Sequence, residues 1–143
     1  LMQAVLDQIF ASFTRELCAA SIHQNDLLER ITALIELLWS LVSQPDYRVS
    51  IAILRNVGRD PTSAVDGDRQ MDSWAREVAR VWDEIFADVD VQPARSQAAR
   101  RIVFAALRGL ADDINPRNKM NGKQLRDEFS ALALATHHLL TTQ

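Results

Sequence analysis

Apolar residues recur at helical spacing over most of the chain, and this pattern predicts six amphipathic helices. Each helix repeats its apolar positions every three or four residues, which is the period of one helix face. No segment alternates apolar and polar residues over a useful length, so no β-strand is predicted. The sequence therefore predicts an all-α protein, a six-helix orthogonal or antiparallel bundle. The predicted helices span 2–21, 27–43, 47–57, 69–87, 93–113 and 122–141.

Capping and helix-breaking residues mark several of these boundaries. Asp26 and Asn121 are each followed three residues later by Glu or Gln, the capping-box pattern that opens a helix. Pro93 lies where a first-turn proline belongs, at the start of the fifth helix. Pro45 predicts the end of the second helix, because proline lacks the backbone N–H that a helix interior needs. Asp46 is then expected to cap the third.

The fifth helix is apolar around most of its circumference. Its polar strip contains only Gln97, Arg101, Arg108 and Asp112, with charged residues elsewhere only near its ends. The apolar arc covers roughly 250°, whereas a surface helix normally carries an apolar stripe little more than about 100° wide. Such an arc needs cover from two sides. The chain's own core supplies one, and we expect a second subunit to supply the other, which predicts a helical dimer.

Two further residues fit this dimer. Leu134 lies on the sixth helix opposite its core face, which suggests that this helix also meets a neighbour. Gly109 lies in the middle of the fifth helix, where glycine costs about 1 kcal/mol relative to alanine. Close approach of another helix would explain this glycine, and neutral drift in a helix held by packing is the alternative.

Length, composition and charge narrow the class of protein. A chain of 143 residues predicts one domain, 1–143, and no apolar run approaches the length of a membrane span. The N-terminal residues lack signal-peptide features, and a single cysteine, Cys18, fits a reducing compartment, so a cytoplasmic location is expected. The net charge of −3 argues against direct binding of a nucleic-acid backbone. Leu1 falls inside a predicted helix without a cap, so we expect further chain upstream.

The sequence offers little that is typical of an enzyme. No Glu-x-x-His pair is present, and the neighbours His137 and His138 point to different helix faces. Glycine-rich phosphate loops and a recognisable Ser-His-Asp frame are also absent. We therefore predict no catalytic residues, no metal ligands and no cofactor. The aromatic residues leave two alternatives open, namely plain core filling or the lining of a small-molecule pocket between helices.

The chain resembles the C-terminal ligand-binding and dimerisation domain of TetR-family transcriptional regulators. Three segments carry the likeness: LMQAVLDQIF (1–10), LLWSLVSQPDYRVSIAILRNVGRDP (37–61) and AALRGLADD (105–113). The order of six helices, with a long predicted loop from Gly58 to Asp68 before the fourth, also matches that domain. The helix-turn-helix of the family is absent from these residues, so any DNA contact would be made by an upstream domain.

The resemblance implies a bacterial repressor with two coupled sites. The fifth and sixth helices would pair with those of a second copy in a four-helix bundle, and helices one to five would surround a cavity for an apolar or aromatic effector. Binding would move the first helix and so change the spacing of the upstream DNA-binding modules. The expected ligand-binding residues are Phe13, Leu17, Trp39, Ile51, Leu54, Trp74, Val78, Trp82 and Phe104. The expected dimer-interface residues are Val103, Leu107, Leu110, Ala111, Leu134 and His138.

Two other classes of protein remain open from the sequence. A stand-alone helical adaptor would use its two-sided fifth helix to bind a different protein and would have no cavity among its tryptophans. A helical-bundle carrier or enzyme would bind a prosthetic group such as haem or iron.

Overall fold

The computed structural model of the protein describes residues 2–20, 22–57, 64–114 and 120–142. These residues form six α-helices and no β-strand, which confirms the predicted all-α class. None of the helices described is long and apolar enough to cross a membrane. In chain order they are α1 (Met2–Ala19), α2 (Leu27–Val42), α3 (Pro45–Val57), α4 (Ala64–Ile85), α5 (Pro93–Asp113) and α6 (Gly122–Thr141).

The predicted caps of α2 and α6 are confirmed. The side chain of Asp26 accepts a hydrogen bond from the backbone N–H of Glu29 at 3.0 Å. At α6, Asn121 Oδ1 accepts from the backbone N–H of Gln124 at 2.8 Å, and Gln124 Oε1 accepts from that of Asn121 at 3.0 Å. These bonds satisfy amides that have no partner within the helix, so the boundaries follow directly from local sequence.

Two predicted helix starts are wrong. α3 begins at Pro45, so this proline opens a helix and Asp46 lies in its first turn. A first-turn position suits proline because no intrahelical N–H bond is needed there. α4 begins at Ala64 instead of 69, and residues 64–68 of the predicted loop are helical. The remainder of that loop, residues 58–63, lies outside the described residues.

The helices pack in two groups that share one core. α2, α5 and α6 pack on one another, and α1 packs against α3 and α4. Contacts of α2 with α1 and α3, and of α4 with α5, join the groups. The predicted faces are confirmed on α4, where Trp74, Val78 and Trp82 are buried and Asp72 and Arg76 are exposed. Burial of these apolar faces provides the main stabilisation of the fold.

The core covers only part of the apolar arc of α5. Among its exposed residues, Ala98, Ile102, Ala105 and Gly109 follow one another at spacings of four, three and four. Ile102 is 49% exposed, and on α6 Leu134 is 60% exposed. We call the four α5 residues the outer stripe. Residues three and four positions apart form one face of a helix, and such a face is the kind that packs against another helix.

Three of the expected interface residues lie inside the chain's own core. Val103, Leu107 and Ala111 are buried against the rest of the domain, so a second copy has no access to them in this arrangement. Leu110 is half-buried, whereas Leu134 and His138 are exposed. The helical period identified an apolar α5 but did not distinguish its core half from its outer half.

Candidate ligand-binding site

Five aromatic side chains from four helices meet between α1 and α5. We call them the aromatic cluster: Phe10, Phe13, Tyr47, Trp74 and Phe104. Trp74 lies at its centre, with its ring centroid 6.2 Å from Phe10, 6.1 Å from Phe13, 6.4 Å from Tyr47 and 6.5 Å from Phe104. Such tilted, edge-on contacts are favourable geometry for aromatic pairs.

Helical spacing explains how α1 contributes two rings to the cluster. Phe10 and Phe13 lie three residues apart, so both project from the buried face of α1. Their centroids are 6.2 Å apart in an edge-to-face contact, and Phe13 also meets Tyr47 of α3 at 5.6 Å. The cluster therefore links α1 through Trp74 to α4 and α5.

Two buried polar atoms in the cluster have no hydrogen-bond partner among the described residues. They are the hydroxyl of Tyr47 and the indole Nε1 of Trp74, on side chains that are each 3% exposed overall. The indole N–H approaches the hydroxyl closely enough to affect its ionisation, but the two atoms do not form a well-aligned hydrogen bond. Leaving such groups unpaired in the interior is unfavourable, so a ligand that accepts or donates hydrogen bonds there would be stabilised.

The electrostatic surroundings of Tyr47 reflect this position. Burial raises the pKa of its hydroxyl above the ordinary value for tyrosine. The positive charge of Arg108 and the indole N–H of Trp74 act in the opposite direction and lower that pKa, while the carboxylate of Asp112 raises it. The ionisation of the hydroxyl therefore depends on one cation, Arg108, and one anion, Asp112, both on α5.

A cleft of about 340 Å³ lies between α4 and α5 beside the cluster. Its wall combines apolar groups, including Trp74 and Phe104, with three guanidinium groups and no carboxylate among the described residues. Arg108 also stacks over Phe104, with its Cζ atom 5.3 Å from the ring centroid. We call this space the α4–α5 cleft. Its lining consists of Trp74, Ala75, Val78, Arg100, Arg101, Phe104 and Arg108.

A second cleft of about 520 Å³ lies between α3 and α5, and Tyr47, Ile51 and Arg108 are part of its lining. Arg108 therefore borders both clefts. At the rim of this α3–α5 cleft, Arg48 Nη2 donates to the backbone carbonyl oxygens of Ala111 at 2.7 Å and Ile114 at 3.2 Å. Arg48 thus caps the C-terminal end of α5 and helps to position the residues that line the cleft.

A third cleft of about 360 Å³ lies between the end of α1 and the second half of α4. The charged residues in its lining, Arg30, Arg80, Glu84 and Asp88, already form ion pairs with one another. Arg80 contacts Glu84 at 2.7 Å and Glu77 at 2.9 Å, and its Nη2 donates to Cys18 Sγ at 3.0 Å. Because these charged groups already have partners, this α1–α4 cleft is a weaker candidate for a ligand than the α4–α5 and α3–α5 clefts.

The structure brings some of the expected ligand-binding residues together and separates others. Phe13, Trp74 and Phe104 meet in the aromatic cluster, and Val78 and Ile51 line its neighbouring clefts. Leu17 lines the α1–α4 cleft instead. The side chain of Leu54 lies outside the described residues.

Two expected tryptophans pack away from the cluster. Trp39 stacks edge-on against Phe129 of α6, with centroids 5.4 Å apart. Trp82 packs on Phe86 at 4.7 Å, and its Nε1 donates to Ser96 Oγ at 3.0 Å. Neither lines any of the three clefts described above. Both of these tryptophans therefore pack against other core residues and do not line these clefts, which agrees with the core-filling alternative.

Sequence reasoning did not single out three groups as site residues, namely Phe10, Tyr47 and Arg108. Helical spacing places Phe10 on the same face of α1 as Phe13, so its inclusion in the site could have been predicted from the sequence. Arg108 belongs to the polar strip of α5, which the sequence indicates to be solvent-facing, and only the packing of α3 and α4 makes it part of two clefts. In the part of the chain that the structure describes, no group of three His, Cys, Asp or Glu residues is placed to hold a metal ion.

Comparison with protein-family models, with curated proteins and with solved structures finds no match for this chain. The chemistry of the site must therefore be inferred from its own residues.

Proposed function

We propose that this chain is the ligand-sensing and homodimerisation domain of a TetR-like transcriptional repressor. The observation that carries the proposal is the aromatic cluster, because it connects two clefts of ligand size to α1 through direct ring contacts. In the proposed regulator α1 leads to the DNA-binding module. A small apolar or aromatic molecule beside Trp74 would therefore act on the helix that positions that module.

The coupling follows from differential binding. A ligand that displaces the Trp74 ring also changes its contacts with Phe10 and Phe13, so it binds best when α1 has shifted. Such a ligand moves the population toward the shifted arrangement, whereas equal affinity for both arrangements would change nothing. In a dimer the shift alters the distance between two DNA-binding modules. That distance is critical because operator half-sites lie about one helical turn apart.

The outer stripe and Leu134 support the dimer in this proposal. Ile102 of α5 and Leu134 of α6 are large apolar side chains that lie exposed on the described surface. The two helices that carry them pack against each other. Cover by a second copy would remove both from water, at about 25 cal/mol for each Å² of apolar surface. The interface would be formed by Ile102, Leu134, His138 and the small residues of the outer stripe.

Sedimentation of two variants tests the dimer. Leu134→Glu and Gly109→Leu are expected to give monomers, because one introduces a charge and the other a bulky side chain into the proposed interface. Val49→Glu is the matched control, since Val49 of α3 is 54% exposed and lies on neither α5 nor α6. A protein that sediments as a monomer before any substitution, or dimers that survive both changes, would contradict the proposal.

Tryptophan fluorescence tests the sensor. Hydrophobic ligands are expected to change the emission of the protein, and Trp74→Phe is expected to remove that response. Trp82→Phe serves as control, because Trp82 lies away from the clefts and is expected to keep the response. The sequence encoded upstream of Leu1 offers an independent check: a helix-turn-helix there supports the repressor, and its absence favours a stand-alone adaptor.

A further inference from the structure

We propose that the effector is a small apolar or aromatic monocarboxylic acid, whose carboxylate binds between Arg108, Tyr47 and Trp74. This inference rests on the proposed sensor function and assigns a ligand class to the same site. It adds a charged group to the expected apolar or aromatic effector, because three guanidinium groups line the α4–α5 cleft and two buried donors lie beside it.

The charge of the α4–α5 cleft is the first argument. Arg100, Arg101 and Arg108 all line it, and no described residue forms a hydrogen bond or an ion pair with any of the three guanidinium groups. Arg30 and Arg80, by contrast, each pair with a carboxylate. Three guanidinium groups that have no ion-pair partner among the described residues, beside an apolar wall, favour an anion over a neutral ligand.

The unpartnered donors are the second argument. Among the described residues the indole N–H of Trp74 has no acceptor, and the hydroxyl of Tyr47 lies next to it, also without a partner there. An ionised carboxylate has two oxygens that together accept about four hydrogen bonds, so it can satisfy the indole N–H, the phenol O–H and a guanidinium at once. Hydrogen bonds to a charged acceptor are also shorter and stronger than bonds to a neutral one. A neutral alcohol satisfies fewer of these donors.

Size and charge restrict the anion further. The α4–α5 cleft of about 340 Å³ is at the lower end of the range for small-molecule pockets, which favours a compact ligand. Asp112 lies near the Tyr47 hydroxyl and lines the neighbouring cleft, so a second negative charge on the ligand would meet repulsion. A single carboxylate is therefore favoured over a dianionic phosphate. The apolar part of the ligand would contact Ala75, Val78 and Phe104.

Arg108 provides the connection between the two clefts. Its side chain is exposed and belongs to the lining of both. Rotation of this side chain away from Phe104 would open the way from the α4–α5 cleft toward the buried donors. The guanidinium would then follow the carboxylate inward as its counter-ion.

Calorimetric titration with matched pairs of acid and alcohol tests the proposal. The probes are benzoate and benzyl alcohol, 1-naphthoate and 1-naphthalenemethanol, and decanoate and decanol, each at neutral pH. We expect at least one acid to bind, about tenfold or more tighter than its alcohol, the effect of a charge-assisted hydrogen bond. Arg108→Gln should abolish this preference. Arg126→Gln, an exposed arginine on α6, should preserve it.

The outcomes separate this inference from the proposed function. If acid and alcohol bind equally well, the sensor pocket stands and the carboxylate is overturned. If none of the probes binds, both the pocket and its ligand class are overturned. Tyr47→Phe and Trp74→Phe each remove one donor but retain a ring, and each should weaken binding of the acid several-fold. Unchanged affinity in both variants would overturn the proposed carboxylate position. Circular dichroism of each variant establishes that it is folded.

Discussion

Arg30 is buried, whereas the carboxylate with which it pairs, Asp88, lies mostly in solvent. The two side chains are 10% and 69% exposed, and Arg30 Nη1 lies 2.7 Å from Asp88 Oδ1. The same guanidinium donates to the backbone carbonyl oxygens of Gln24 at 2.9 Å and Ile85 at 3.0 Å. Arg30 thus joins the start of α2 to the end of α4.

Arg30→Met should lower the free energy of unfolding by about 2–3 kcal/mol. Methionine replaces much of the buried stem, but the carbonyl groups of Gln24 and Ile85 lose a charged donor that no water readily replaces. Urea unfolding followed by circular dichroism measures the change. Arg76→Met on the exposed face of α4 is the control, expected within about 0.5 kcal/mol of the parent. An equally small change for Arg30→Met would contradict the interpretation.

Asp88→Asn should make stability less sensitive to acid. The hydrogen bond from Arg30 is the main cause that lowers the pKa of Asp88 in the folded protein, with burial opposing it. A lowered pKa means that the stabilisation is complete above the unfolded-state pKa of aspartate and is lost as the pH falls through the folded-state value. Unfolding free energies measured from neutral pH downward should therefore fall less steeply for Asp88→Asn. Parallel curves for the variant and the parent would show that the pair contributes nothing.

Titration of the only tyrosine tests the electrostatics of the cluster. Because the chain has one tyrosine, the absorbance of tyrosinate reports Tyr47 alone. Its pKa is raised chiefly by burial, and Arg108 lowers it. The midpoint should therefore lie above the ordinary value for tyrosine, and Arg108→Gln should raise it further. A lower midpoint in Arg108→Gln would contradict the proximity of that guanidinium to the hydroxyl.

Tyr47→Phe should leave the free energy of unfolding unchanged or raise it by up to about 1 kcal/mol. A hydrogen-bonded tyrosine normally loses stability on this change, but the Tyr47 hydroxyl is buried without a partner among the described residues. Chemical denaturation of the ligand-free protein measures it. A loss of more than about 1 kcal/mol would mean that the hydroxyl has a partner in solution, and the site would then lose one of its two free donors.

Local chemistry explains which elements were predictable from sequence. The predicted bounds of α5, Pro93–Asp113, agree with the structure, and the capping box at Asn121 correctly opens α6. Both signals operate within one turn of helix. Pro45 shows the limit of this reasoning, because proline both ends a helix and opens one, and only the chain geometry after Val42 decides between the two.

The candidate site was predictable only in its apolar part. Periodicity places Phe13, Trp74 and Phe104 on inward faces, and they meet as expected. Periodicity gives no information on the polar ends of side chains. The Tyr47 hydroxyl, which has no partner among the described residues, and the place of Arg108 in two clefts depend on how α3, α4 and α5 cross. Trp39 and Trp82 have equally strong inward patterns but fill other parts of the core.

Gly109→Ala should raise the free energy of unfolding by about 0.5–1 kcal/mol at concentrations where the chain is monomeric. Glycine is unfavourable in mid-helix relative to alanine. Apart from its chain neighbours and the backbone of its own helix, no described atom lies within 4 Å of a Cβ at this position, so the methyl group would clash with no other described residue. Close packing against other described residues therefore does not explain this glycine, which lines the α3–α5 cleft, and contact with a second copy remains the proposed explanation.

The control for this prediction is Gly122→Ala at the first position of α6. A Cβ there would lie 3.7 Å from Arg126 Nη1, an ordinary van der Waals distance, and the helix terminus is less sensitive to glycine than the interior. A smaller gain is therefore expected. If Gly109→Ala stabilises the monomer while Gly109→Leu weakens self-association, the glycine is retained for contact with a second copy. If Gly109→Leu leaves self-association unchanged, the outer stripe is not the dimer interface.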